Sequence, residues 1–128
     1  MATPPKVLII EDNPLNMKMF AALIANRGYA VLEARDGLTG LGLARAAHPQ
    51  LIITDLDLPG VSGVAATRAL KSDRETRNIP VLLTTATGAN EDDCGIRDCG
   101  YDGFLPKPIS VMSFLAMVEA FLATAGMD

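Results

Sequence analysis

No segment of this chain narrows its folding choices more than residues 51–59, Leu-Ile-Ile-Thr-Asp-Leu-Asp-Leu-Pro. Four apolar or β-branched residues run directly into the carboxylate of Asp55, and a turn ending at Pro59 follows. A run without polar alternation has no face to give to water, so it reads as a strand buried on both sides within a parallel sheet. Asp55 then falls at the carboxyl end of its strand, the edge at which open α/β sheets place their ligands. A single aspartate after a strand is more often a turn cap than a chemical group. The ends of the other strands decide between those readings.

Val7 to Ile10 is a second unbroken apolar run, ending in Glu11-Asp12-Asn13-Pro14. Asn13 is a good N-cap and Pro14 suits the first helical position, so a helix starts there. It carries Asn16, Phe20, Leu23 and Ile24 on one face and stops at Arg27-Gly28. Tyr29 to Ala34 reads as a strand. Asp36-Gly37 opens a second helix with Leu38, Leu41 and Ala44 inward, weakened by Gly40 and Gly42 and ended by His48-Pro49. The spacing of Val64, Thr67 and Leu70 predicts a third helix of about ten residues. Pro80 introduces a strand over Val81 to Thr85, and Asn90 to Cys99 reads as a poor helix containing Gly95. Tyr101 to Leu105 forms a fifth strand. Ser110 caps a last helix that turns Val111, Leu115, Val118 and Leu122 to the core. Five strand-then-helix units make one domain over residues 5–124. They predict an α/β fold, a parallel sheet covered on both faces and joined by right-handed crossovers. Pro106 lacks an N–H and so requires the fifth strand to lie at an edge.

Strands that run parallel all end on one side. Glu11 and Asp12 follow the first strand, Asp55 the third, Thr85 closes the fourth and Lys107 follows the fifth. Three carboxylates in one crevice repel, so they must be protonated, separated or bridged by a cation. Mg2+ suits that site, because it takes hard oxygen ligands and keeps waters that a phosphate can replace. Lys107 and the Thr85 hydroxyl add a charge and a hydrogen bond for a phosphoryl oxygen. The set is the equipment for phosphoryl transfer onto Asp55.

Composition removes several other classes. The 128 residues are 49% hydrophobic and 20% charged, which excludes a disordered chain. A net charge of −4 without a basic patch argues against direct binding of nucleic acid. Cys94 and Cys99 are too few for a disulfide framework. No signal-peptide core and no 18-residue apolar run occurs, so the expectation is a cytoplasmic protein without a membrane partner.

These landmarks together resemble the receiver domain of bacterial two-component response regulators. The matching features are Val-Leu-Ile-Ile-Glu-Asp-Asn (7–13), Asp55 with Leu58-Pro59 and Gly63, Thr85-Ala86, and Lys107-Pro108. The resemblance implies a flavodoxin-like (βα)5 sandwich with strand order 2-1-3-4-5. It implies that Asp55 is phosphorylated by the phosphohistidine of a histidine kinase or histidine phosphotransfer protein. Glu11, Asp12, Asp55 and the backbone carbonyl of Asp57 would arrange Mg2+, and Thr85 and Lys107 would contact the phosphoryl group. The Lys107–Pro108 bond would be cis. Thr85 and Phe104 would form the switch, with Phe104 lacking the hydroxyl that a tyrosine would bring. Asp57 and Thr87 depart from the commonest pattern at places that influence loss of the phosphoryl group. No output domain fits after residue 124, so a stand-alone receiver is expected, one that acts on a downstream protein target or in a phosphorelay rather than as an enzyme. Residues 12–18 and 107–111 resemble the single-domain regulators of cell division and polarity.

Rival readings differ in class. A pseudo-receiver would bind partners without being phosphorylated. A small Asp-nucleophile phosphatase of the haloacid-dehalogenase type would use Asp55-Leu56-Asp57, but after its first strand and in a longer chain. A flavodoxin would want a phosphate loop where Glu11-Asp12 would repel one.

Overall fold

Each expected apolar run becomes a strand. The computed structural model describes residues 3–85, 98–106 and 109–125. Strands β1 (Lys6–Ile10), β2 (Ala30–Ala34), β3 (Leu51–Asp55), β4 (Val81–Thr85) and β5 (Gly103–Pro106) form one sheet. Its order is β2-β1-β3-β4-β5 and every pairing is parallel. Among the described residues four helices accompany it: α1 (Pro14–Asn26), α2 (Gly37–Ala47), α3 (Gly63–Ser72) and α4 (Val111–Ala125). This is the flavodoxin-like arrangement. The helix expected over Asn90 to Cys99 lies almost wholly outside the described residues.

The pleat divides the core in two. Val7, Ile9, Leu51 and Ile53 point to one face, where they meet Met17, Phe20 and Ile24 of α1 and Phe114, Val118 and Leu122 of α4. Leu8, Ile10 and Ile52 point to the other, against Ala44 of α2 and Leu70 of α3. Side chains alternate along a strand, so a strand covered on both faces is apolar along most of its length, and β3 and β4 turn polar only at their carboxyl ends, Thr54-Asp55 and Thr84-Thr85. All five residues of β3 and of β4 are buried. β5 is an edge strand, which accommodates Pro106, paired with Thr85.

Helix ends obey the expected chemistry. The Asn13 side chain accepts from the Leu15 and Asn16 N–H groups, with Pro14 opening α1. Asp36 caps α2 through the Thr39 N–H, and Ser62 caps α3 through the Ala65 N–H. The Ser110 hydroxyl accepts from the Ser113 N–H.

Three facing assignments need correction. In α1 the inward residue of the first turns is Met17, fully in the core, and Leu23 is only half-buried. In α4 the stripe is Phe114, Val118 and Leu122 at i, i+4 and i+8, while Val111 is exposed. Phe114 stacks on Phe20 at 4.9 Å between ring centroids, so the aromatic contact sets the rotation of α4. In α2 Leu38 is 70% exposed, and the buried residues are Gly37, Gly40 and Ala44. Gly40 is therefore a packing residue. A Cβ there would fall inside van der Waals contact of the Ile10 side chain, 2.8 Å from its Cγ1.

Candidate functional site

The register carries the chemistry. Ile10 pairs with Thr54 and with Ala34, so Glu11 continues β1 just where Asp55 ends β3. Asp55 pairs with Thr84, which sets Thr85 one step further on the neighbouring strand. One carboxylate oxygen from each of Glu11, Asp12 and Asp55 lies within 4.8 Å of the others. Glu11 and Asp55 are buried, Asp55 to 5% exposure, whereas Asp12 reaches solvent. Thr85 is fully buried.

Local hydrogen bonds hold these groups in place. The Glu11 N–H donates to the Ala34 carbonyl at 2.9 Å, extending the β1–β2 ladder by one residue. The Asn13 N–H donates to Glu11 Oε2 at 3.1 Å. Asp55 Oδ1 accepts from the Asp57 N–H at 3.2 Å, and the Thr54 hydroxyl donates to the Asp55 carbonyl at 3.1 Å. Below the acceptor loop, the Gly63 N–H reaches the Leu56 carbonyl at 2.9 Å. Gly63 can do so only without a side chain. A Cβ at that position would run into the Asp55 carbonyl oxygen and sit 2.7 Å from the Leu56 Cα. These supports are what the residue pattern alone leaves out, because they are set by distance, although Gly63 stands out as a glycine at the start of a helix.

The donor set fits a small divalent cation. Two ionised carboxylates about 5 Å apart repel by roughly 3 kcal/mol at an effective dielectric constant near 20, and three of them repel pairwise. Oxygens around Mg2+ lie roughly 2.1 Å from the ion, so ligands across it are about 4.2 Å apart. A cluster within 4.8 Å needs only a small contraction to reach that. The Asp57 side chain is exposed and stands outside the cluster; its N–H is what touches the acceptor. Phe104 is half-buried on β5, packed against Leu83 and Cys99, with its ring 5.7 Å from that of Tyr101. Lys107 and Pro108, with their expected phosphoryl contact and cis bond, lie outside the described residues, as do Thr87 and Cys94.

The model of the response regulator receiver domain family matches residues 7–119, the span that holds the sheet and this acidic site. The chain belongs to that family. This receiver is 45% identical over 119 residues to the polar-differentiation response regulator DivK of Brucella ovis, covering 93% of this chain and 97% of that protein. It resembles the stand-alone polarity and cell-division type. Among solved structures, the signal receiver domain of a histidine kinase from Syntrophus aciditrophicus superposes with a TM-score of 0.90 at 28% identity, over 97% of this chain and 94% of that one. The receiver domain of a sensor histidine kinase from Pseudomonas aeruginosa superposes at 0.86 and 25% identity, over 94% and 99%. That structure holds a magnesium ion coordinated in its active-site cleft. Response regulator receivers are signalling proteins. No described helix of this one is long and apolar enough to cross a membrane.

Proposed function

We propose that this receiver accepts a phosphoryl group on Asp55 from the phosphohistidine of a histidine kinase or histidine phosphotransfer protein. The observation that carries the reading is the meeting of Glu11, Asp12 and Asp55 within 4.8 Å beside the buried Thr85. One Asp55 oxygen forms a bond to phosphorus as the bond from phosphorus to the imidazole nitrogen breaks. The imidazole leaves with the bonding pair and takes a proton from water. The Asp57 N–H on Asp55 Oδ1 orients the carboxylate so that its other oxygen attacks. The Thr85 hydroxyl and the Lys107 ammonium are proposed to hold the transferred oxygens. Bound Mg2+ would neutralise charge on those oxygens, held by Glu11, Asp12, Asp55 and the Asp57 carbonyl. Thr85 and Phe104 are proposed to report the change to a downstream protein target, or the phosphoryl group passes on in a phosphorelay. The proposed setting is the cytoplasm. Matching 97% of the Brucella regulator supports reading the receiver as the stand-alone type.

The phosphatase alternative has no support, since the acceptor closes the third strand of a receiver sheet and does not stand after a first strand. Intact-mass analysis after incubation with acetyl phosphate tests the proposal. One adduct of a single phosphoryl group is expected, requiring Mg2+ and missing in Asp55→Asn. Folded wild type that gains no adduct from acetyl phosphate or a phosphohistidine donor, and binds no Mg2+, would instead be a pseudo-receiver.

A further inference from the structure

We infer that α2 braces both arms of the acidic site, through the two tight contacts of Gly37 and Gly40. This rests on the proposed function, because it concerns the same site. The arms are the end of β1, which delivers Glu11 and Asp12, and the loop after β3, which carries Asp57. Gly40 lies against Ile10, the residue directly before Glu11. A Cβ at Gly37 would lie 2.9 Å from both the Cβ and the carbonyl oxygen of Val61, in the loop between Asp57 and Gly63. One helix therefore touches both arms at points where a single methyl group does not fit.

Neither contact has slack. Ile10 is β-branched, fully buried and shares its core cluster with Leu8, Ala34, Ala44 and Ile52, so turning its side chain aside would press it into close-packed neighbours. A methyl group at position 40 is therefore expected to move backbone, in one of two ways. Either the end of β1 yields and displaces Glu11 and Asp12, or α2 lifts from the sheet and Gly37 parts from Val61. The first displaces two of the three clustered carboxylates, and the second frees the loop that carries the Asp57 carbonyl. Gly42 provides an internal comparison, since it sits in the same helix with open space where its Cβ would be.

The test is Mg2+ affinity by titration calorimetry, alongside thermal unfolding, for wild type, Gly40→Ala, Gly42→Ala and the double variant Ile10→Ala/Gly40→Ala. Removing the γ and δ carbons of Ile10 makes room for the new methyl group, because both Cγ1 and Cδ1 lie within 3 Å of it. Gly40→Ala is expected to weaken Mg2+ binding roughly tenfold, in the range seen when groups behind metal ligands are altered. The double variant should regain most of that loss, and Gly42→Ala should bind as wild type does. Acetyl phosphate labelling rates should follow the same order. Wild-type affinity in Gly40→Ala overturns the brace, and so does a double variant no better than the single one. Wild type that binds no Mg2+ overturns the functional reading and the brace with it.

Discussion

Gly63 shows how a residue without a side chain can be necessary to a carboxylate eight positions away. Its Cα lies so close to the Asp55 and Leu56 backbone that Gly63→Ala must push α3 off the end of β3. Both sides of the contact are main chain, so no rotamer change relieves it. The expected cost is about 3 kcal/mol, at the upper end of overpacking effects, read as a lowered urea midpoint, together with a slower reaction with acetyl phosphate. Asp36 acts through charge. Hydrogen bonds from the Thr39 N–H and then the Thr39 hydroxyl hold its carboxyl below its ordinary value of 3.8. A depressed folded-state value contributes stability that is present above the unfolded value and lost as pH falls through the folded one. Asp36→Ala should therefore lower the melting temperature at pH 7, and the gap from wild type should close as the pH is taken below about 4. A gap that stays constant down to pH 2.5 would show that the ionised form contributes nothing.

Among the elements, α2 combines good capping with poor propensity. Its two interior glycines differ in what they do. Gly40 has Ile10 beneath it, and Gly42 faces open space. Replacing the latter removes unfolded-state freedom without a native clash, so Gly42→Ala should stabilise by about 0.5–1 kcal/mol in a denaturant titration. An equal gain from Gly40→Ala would contradict the packing described above. In α4 the same distinction applies to apolar residues. Val111 and Met112 are exposed, Met112 to 83%, because they precede the turn that reaches the sheet. The three residues that anchor the helix are Phe114, Val118 and Leu122.

The whole molecule keeps its chemistry and one of its strongest polar ties at opposite ends of the sheet. Lys71, in the last turn of α3, donates to the carbonyls of Arg77 and Ile79 and to Asp102 Oδ2 at 2.7 Å. Asp102 also accepts from the Val81 N–H at 2.8 Å. This network joins the helix to the starts of β4 and β5, whereas Asp55 and Thr85 lie at the strand ends. Lys71→Met should cost about 2 kcal/mol, the worth of hydrogen bonds to charged groups. It should leave Mg2+ affinity unchanged. A matching fall in affinity would mean that the two ends are coupled through the strands.

Several parts of this molecule were determined by the sequence alone, because their causes are local. Unbroken apolar runs demanded strands buried on both faces, Asn13-Pro14 and Ser110 demanded helix starts, and Pro106 demanded an edge. The acidic pair, Asp55 and Thr85 were legible too, since parallel strands bring all their ends to one side. Only the tertiary structure decided distances and rotations. That three carboxylates meet within 4.8 Å depends on the register of three strands. That Phe114 replaces Val111 in the core depends on a ring stacked upon Phe20, ninety-four positions earlier in the chain. Gly40 read as a weakness because helix propensity counts only the residue and its turn. In the folded protein its missing side chain is the space that Ile10 fills, and close packing between distant segments is not written in any one of them.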